Sequence, residues 1–290
     1  MDTRSLLDKI ATFPLIAEEL AEDLLSGDFR SLFKGQGIEF DEVRPYEQGD
    51  DVRAIDWNVS ARFGSPYVKQ YREERELTVC IVLDCSASMR SGGASPQRYE
   101  QAVLAAAMVA LSAEKAGQRV SAIFFDSEIR RVFPPRKGRA HAMAIILGAL
   151  AVQPDGKGSS LGLALSGAGR LLKRRSLVVV VSDFLCVDWE HELGSLSRRH
   201  DVAAIKITDP VDTDMPDVGL VHIRDPETGI ELHALTGFSS FRRAWSAWHE
   251  ERSTAWRSLC RRFSVASLEL SCADDPASSL GRFFSQRRRA

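Results

Sequence analysis

An aspartate followed by two serines at alternate positions, Asp84-Cys85-Ser86-Ala87-Ser88, is the densest chemistry in this chain. One carboxylate with two neutral hydroxyls is a ligand set for a hard divalent cation such as Mg²⁺. Alternate residues of an extended segment point the same way, so Asp84, Ser86 and Ser88 can converge on one point. Taken alone, the five residues have a second reading, in which the serines cap a following helix. Two further stretches carry oxygen donors. Ser159 and Ser160 follow a glycine-flexible loop and precede a helical pattern, and Asp183 follows Val178-Val179-Val180-Val181.

The elements around these residues decide whether they can meet. Residues 77–83 are apolar, rich in β-branched side chains and free of Gly and Pro, the pattern of a buried strand. Further strands are expected at 120–125, 129–133, 177–181, 202–207 and 265–270. Helices are expected at 96–117, 141–152, 161–172, 190–199, 239–263 and 276–284. Pro96 suits the first turn of its helix and Gly117 the stop. Residues 102–111 are apolar nearly all round, so that helix should be covered on both sides. Strands alternating with helices imply βαβ units and a parallel sheet. All parallel strands end on one edge, where ligands bind, and Asp84, Ser159 and Asp183 would share it. That coincidence favours the metal reading over capping.

Residues 209–235 break the rhythm, and 220–223 and 230–235 read as a hairpin. The long helix that follows carries Phe241, Trp245, Trp248 and Trp256, expected as a buried stripe, with an exposed partner groove as the alternative. Two helices divided by Pro14 are expected over residues 5–25. Residues 31–76 are dense in charge and aromatics, and read as short strands and turns leading to a strand near 67–71. The organisation expected is an N-terminal segment, 1–76, packing on a core domain, 77–290, with a hairpin and long-helix insertion at 209–264.

Composition excludes several classes. The 290 residues hold 38 Lys plus Arg against 40 Asp plus Glu, a net charge of −2, unlike a dedicated nucleic-acid binder. Arg287-Arg288-Arg289 is the local exception and reads as a solvated end. The five cysteines, Cys80, Cys85, Cys186, Cys260 and Cys272, are odd in number and widely spaced. They point to a reducing compartment rather than to a disulfide framework or a zinc site. Cys80 and Cys272 suit the core, and Cys85 is a nucleophile only if the fold brings His141 or His222 to it. The best apolar run falls short of the roughly 18 residues of a membrane span, so a cytoplasmic protein is expected.

The order Asp84-x-Ser86-x-Ser88, a loop hydroxyl, then Asp183 resembles the metal-ion-dependent adhesion site of von Willebrand factor A domains. Nearly the whole chain resembles the domain of unknown function 58 family. The matching strings are Gly37-Ile38-Glu39-Phe40-Asp41-Glu42-Val43-Arg44, Tyr46-Glu47-Gln48-Gly49-Asp50-Asp51-Val52-Arg53-Ala54-Ile55-Asp56-Trp57, Val68-Lys69-Gln70-Tyr71, Ser182-Asp183-Phe184 and Arg198-Arg199-His200-Asp201-Val202.

The resemblance implies an α/β fold: a doubly wound, mostly parallel A-domain-like sheet with helices on both faces, an irregular N-terminal α+β segment and a hairpin insertion. It implies Ser86 and Ser88 as direct metal ligands, with Asp84 and Asp183 acting directly or through water. Ser159 stands where the family often has Thr and keeps the hydroxyl. Ser160 stands where it often has Asp, which leaves one charge fewer. Mg²⁺ is the ion expected, with Mn²⁺ and Ca²⁺ as alternatives. A MoxR-type AAA+ ATPase is the implied partner, in chaperone-like maturation of a client protein. This chain has no GxxxxGK[ST], so ATP chemistry would be the partner's.

Residues 44–57 have two readings, a docking face or a structural cover with Arg–Asp pairs and Trp57 packed on the sheet. The function expected is thus a non-enzymatic, metal-dependent interaction module. A structural adaptor with a vestigial metal site is the alternative. A phosphatase of the haloacid-dehalogenase type would want a second Asp two residues after Asp84, where this chain has Ser86.

Overall fold

The computed structural model describes residues 38–47, 50–52, 55–73, 77–94, 96–153, 158–224 and 229–287. The helices expected over 5–25, the hairpin turn at 225–228 and the arginines at 288–289 lie outside the described residues. The described residues fall into two compact units, one before Leu77 and one from Leu77 on.

In the smaller unit, β1 (Ile38–Pro45) pairs antiparallel with β2 (Tyr67–Glu73), and α1 (Trp57–Phe63) lies between them in sequence. Asp56 caps α1 by accepting from the N–H groups of Asn58 and Val59, and Gly64 closes it at φ +71°. Arg44 makes a two-pronged pair with Asp50 at 2.8 and 2.6 Å. The Arg–Asp pairing read as a structural cover is present. Trp57 departs from that reading, because its ring is 68% exposed. Asp56 caps the helix that Trp57 begins.

In the larger unit a six-stranded sheet holds β3 (Thr78–Asp84), β4 (Arg119–Phe125), β5 (Ile129–Arg136), β6 (Leu177–Ser182), β7 (Asp201–Thr208) and β10 (Ala266–Ser271). Their order is β10-β7-β6-β3-β4-β5. All neighbours run parallel except β4 and β5. Counting only these strands, the order is that of a doubly wound sheet, with its reversal between β3 and β6. This is the A-domain-like sheet that the resemblance implies.

Period-two alternation sends Cys80, Val82, Val178, Val180, Val202 and Ala204 to one face. There they meet α4 (Leu161–Leu171), α5 (Glu190–Ser197) and the end of α7 (Ser239–Arg262). The other face is covered by α2 (Arg98–Lys115), which α3 (Arg139–Ala151) and α8 (Pro276–Arg287) flank in turn. Residues 98–113 of α2 are buried apart from Glu100, as the all-round apolar run requires. Pro96 lies outside the helix. Gln97 is the N-cap, and its N–H donates to Glu100.

The four-residue helix α6 (Pro210–Thr213) leads to the hairpin β8 (Leu220–Arg224) and β9 (Glu231–Leu235). The aromatic stripe of α7 is not uniformly buried. Trp256 is buried, Trp245 is half-buried with its Nε1–H donating to the carbonyl of Val211, and Trp248 is 47% exposed. The helix is 24 residues long, and only its C-terminal part lies over the sheet.

Candidate functional site

The site lies where the sheet order reverses, at the C-terminal ends of β3 and β6. Asp84 is the last residue of β3 and is fully buried. Its Oδ2 accepts from Ser182 Oγ at 2.7 Å and from Ser159 Oγ at 3.1 Å. Its Oδ1 accepts from the Ser86 N–H at 2.9 Å, which turns the chain back toward the sheet edge. Ser86 Oγ and Ser88 Oγ are 3.1 Å apart. Ser88 opens a short 3₁₀ turn, Ser88–Arg90. Both hydroxyls are buried, so they point into the cluster rather than capping α2, which begins ten residues further on.

Asp183 follows β6 directly. Its Oδ1 accepts from the Leu185 N–H at 3.0 Å. Its Oδ2 is buried and has no hydrogen-bond donor among the described residues. The loop that carries Asp183 is held on both sides. Phe184 and Asp188 take left-handed φ angles of 54° and 60°. A Cβ built at Gly162, in the first turn of α4, would meet the Asp188 carbonyl oxygen at 2.7 Å, so only glycine admits this approach. Ser160 is the N-cap of α4, but its side chain makes no capping bond. Its N–H donates to the Asp126 carbonyl at 2.7 Å, which fixes the loop bearing Ser159 to the end of β4.

The structure therefore brings Asp84, Ser86, Ser88, Ser159 and Asp183 to one sheet edge. It adds a residue that the sequence reading left without a role, Ser182, whose hydroxyl also accepts from the Phe184 N–H. The available signal was its place in Ser182-Asp183-Phe184, in phase with Val178 and Val180.

Burial and like charge both work against ionising the two acids together. Burial, then the charge of Asp183, pushes the Asp84 carboxyl well above the usual carboxylate range, against its hydrogen bonds from Ser182 and Ser86. Burial likewise raises Asp183, while the bond from the Leu185 N–H, the nearby Ser88 hydroxyl and the charge of Arg98 work the other way. Arg98 is itself anchored to Asp212 at 2.5 Å.

Oxygen donors only, an orphaned buried carboxylate oxygen and two acids of like charge fit a hard divalent cation. Asp84, Ser86, Ser88, Ser159 and Asp183 are the residues that would hold it. Among the described residues no group of three or more His, Cys, Asp or Glu could hold a metal ion, so an ion here would rely on the hydroxyls.

The thiol next to Asp84 is not poised as a nucleophile. Cys85 is fully buried beneath the site, and burial pushes its thiol up to about 12. The Tyr99 hydroxyl lies 3.5 Å from its sulfur. His141, the imidazole that a thiol reading would recruit, faces the Val120 carbonyl instead.

An A-domain-like α/β sheet with a hydroxyl-and-carboxylate cluster at its switch point defines the class. The chain belongs to the family described as protein of unknown function DUF58, whose model matches residues 42–255. An uncharacterized protein of Mycobacterium tuberculosis is 34% identical over 233 residues, covering 79% of this chain and 74% of that protein.

Among solved structures, an aerotolerance-related membrane protein from Bacteroides fragilis aligns with a TM-score of 0.52 at 16% identity. The alignment covers 74% of this chain and all of that one. The conserved hypothetical protein BatB from Bacteroides thetaiotaomicron aligns with a TM-score of 0.51 at 14% identity, over 74% of this chain and all of that one. At these identities the likeness is one of fold. Among the described residues no helix is long and apolar enough to cross a membrane.

Proposed function

We propose that this protein is a non-enzymatic, metal-dependent protein-interaction module that works with a MoxR-type AAA+ ATPase in the chaperone-like maturation of a client protein. The observation that carries this reading is the convergence of Ser159, Ser182 and the Ser86 N–H on the buried carboxylate of Asp84.

The chain's residues do the positioning. Ser182 and Ser159 fix one oxygen of Asp84, and the Ser86 N–H fixes the other. Asp126 anchors the loop bearing Ser159, and Gly162 lets the loop bearing Asp183 close on α4. A divalent cation bound by two carboxylates and neutral hydroxyls keeps an electrophilic position that a carboxylate of the partner can fill. Binding rather than catalysis suits a site whose neighbouring thiol is buried and fully protonated near neutral pH. Cytoplasmic residence belongs to the same proposal. It is supported by five free cysteines, four of them buried.

The test is a calorimetric titration of wild type and Asp84→Ala with Mg²⁺ and Mn²⁺, alone and with a candidate MoxR-type ATPase. One ion per wild-type chain, with both ion and ATPase lost in the variant, upholds the reading. Metal-independent ATPase binding by both proteins makes the site vestigial and the protein a structural adaptor.

A further inference from the structure

Among the described residues, Lys206 is a buried cation without a counter-ion. It lies on β7, in register with Ser182 of β6 and Glu269 of β10. Alternation places it on the face of Val202 and Ala204, under α7. It is 7% exposed. Its Nζ donates to Ser253 Oγ at 2.5 Å and stands 5.7 Å from the centre of the Trp256 ring. Both neighbours are neutral. Glu269, the acid opposite it, is drawn to Arg257 at 3.0 Å, and Asp212 is held by Arg98. Burial lowers the Lys206 pKa from the ordinary 10.5, and the charges of Glu269 and Asp212 do not make up for it. Ser253 Oγ is the one acceptor among the described residues for three N–H donors. Buried charges are ordinarily paired, so this ammonium calls for an anion.

Lys206 lines a groove of about 270 Å³ between the loop after Asp183 and the C-terminal half of α7. Two more donors line it. Arg252 gives its Nη2 to the Leu185 carbonyl at 3.2 Å and has no carboxylate partner among the described residues. Trp256 forms part of the wall, and its Nε1 is buried with no acceptor among the described residues. Glu190 is the acid among the lining residues, and it is exposed. Two cations against one carboxylate leave the groove one positive charge. A neighbouring cavity of about 210 Å³ shares Lys206 and Arg252, but Asp183, Asp209, Asp212, Glu250 and Glu269 line it and would repel an anion.

From this donor set and its missing counter-charge we propose that the groove is an anion site, which takes the carboxylate of a small organic acid with an apolar body. The carboxylate meets Lys206 and Arg252, and the apolar body lies against Phe184, Trp189 and Leu259. A monoanion matches the single positive charge, whereas a phosphate dianion would leave charge in excess beside Glu190. The metal site takes no part, so this inference goes beyond the function proposed above and does not rest on it.

The experiment uses the full chain, free of metal, and three probes: benzoate, benzamide and inorganic phosphate. Benzamide keeps the ring and loses the charge, and phosphate keeps charge and loses the ring. Tryptophan emission reports binding, because Trp189 and Trp256 line the groove. Benzoate should bind with a Kd of about 1 mM, about tenfold tighter than either companion. Lys206→Met keeps a long side chain without the charge and should weaken benzoate about tenfold, with its fold checked by circular dichroism. Glu190→Gln changes an exposed residue and removes the opposing charge, so it should tighten benzoate about threefold.

Benzoate that binds no tighter than benzamide or phosphate, or that shows no saturable binding, would overturn the inference. So would a folded Lys206→Met protein that binds benzoate like wild type. Should Lys206→Met fail to fold, Glu190→Gln decides: tighter benzoate binding upholds the site, and unchanged binding overturns it. Every arm is free of metal, so failure of the metal reading leaves this test standing.

Discussion

Ser182 Oγ stands 2.7 Å from Asp84 Oδ2, a hydrogen bond that spans 98 residues of sequence and joins the ends of β3 and β6. It places the hydroxyl of the last residue of one strand on the carboxylate of the last residue of its neighbour. The same hydroxyl accepts from the Phe184 N–H, so it links the acid of β3 to the loop of Asp183.

Ser182→Ala removes the donor and leaves Asp84 Oδ2 with Ser159 alone among its side-chain donors. It also leaves the buried Phe184 N–H without its acceptor, and an unsatisfied buried donor costs about 1–3 kcal/mol. Urea unfolding should show that loss in metal-free protein, and the Mg²⁺ affinity measured by calorimetry should fall. Unchanged stability together with unchanged affinity would contradict the role given to Ser182.

Gly162→Ala tests the loop clamp. The added methyl would sit 2.7 Å from the Asp188 carbonyl oxygen, a backbone atom that cannot swing away. Relief requires the loop of Asp183 to move. Although alanine favours helix over glycine, thermal stability should fall, by about 1–3 kcal/mol. Mg²⁺ affinity should fall with it. A stabilised variant would mean that the approach is looser than described.

Arg98→Met breaks a buried pair, since both Arg98 and Asp212 are largely shielded from water. Asp212, left without its arginine, should cost about 3–5 kcal/mol in chemical denaturation. Asp183 should then hold its proton to higher pH, because Arg98 is one of the charges that favour its ionised form. Infrared titration of the carboxyl stretch would detect that shift. Replacing Asp212 by Leu as well should recover part of the stability.

His200 gives the protein an acid-sensitive point. It is buried, and neither ring nitrogen has a hydrogen-bond partner among the described residues. Burial first, then the charges of Arg199 and Arg175, lowers its pKa from the ordinary 6.5. The unfolded chain therefore binds this proton more readily than the folded one. The His200 contribution is fully present above pH 6.5 and is lost as pH falls from there through the lowered folded value. Stability measured from pH 8 to pH 5 should decline more steeply for wild type than for His200→Phe. Parallel curves would exclude His200 as the cause.

Much of the sheet was legible because its signals are local. The runs at 77–83 and 177–181 are continuous and β-branched, and they became β3 and β6 with ends shifted by one residue. The period of two in Asp84, Ser86 and Ser88 needs no distant residue to be read. The reading faltered where burial depends on a partner element. Trp248 and Trp256 are equivalent in the sequence of α7, yet only Trp256 reaches the Phe184 ring. Trp57 looked like packing material and is exposed.

By itself, the sequence determined which residues bring oxygen donors to the strand ends and that parallel strands would carry them, since residue type and alternation are properties of short segments. Tertiary structure alone decided that β3 and β6 are neighbours at the reversal of the strand order. Through that adjacency Ser182 meets Asp84, Asp183 keeps a buried oxygen without a donor among the described residues, and the following loop faces α7 across a groove. Those relations follow from packing helices on two faces of one twisted sheet, a long-range balance of burial and strand pairing that no local spacing encodes.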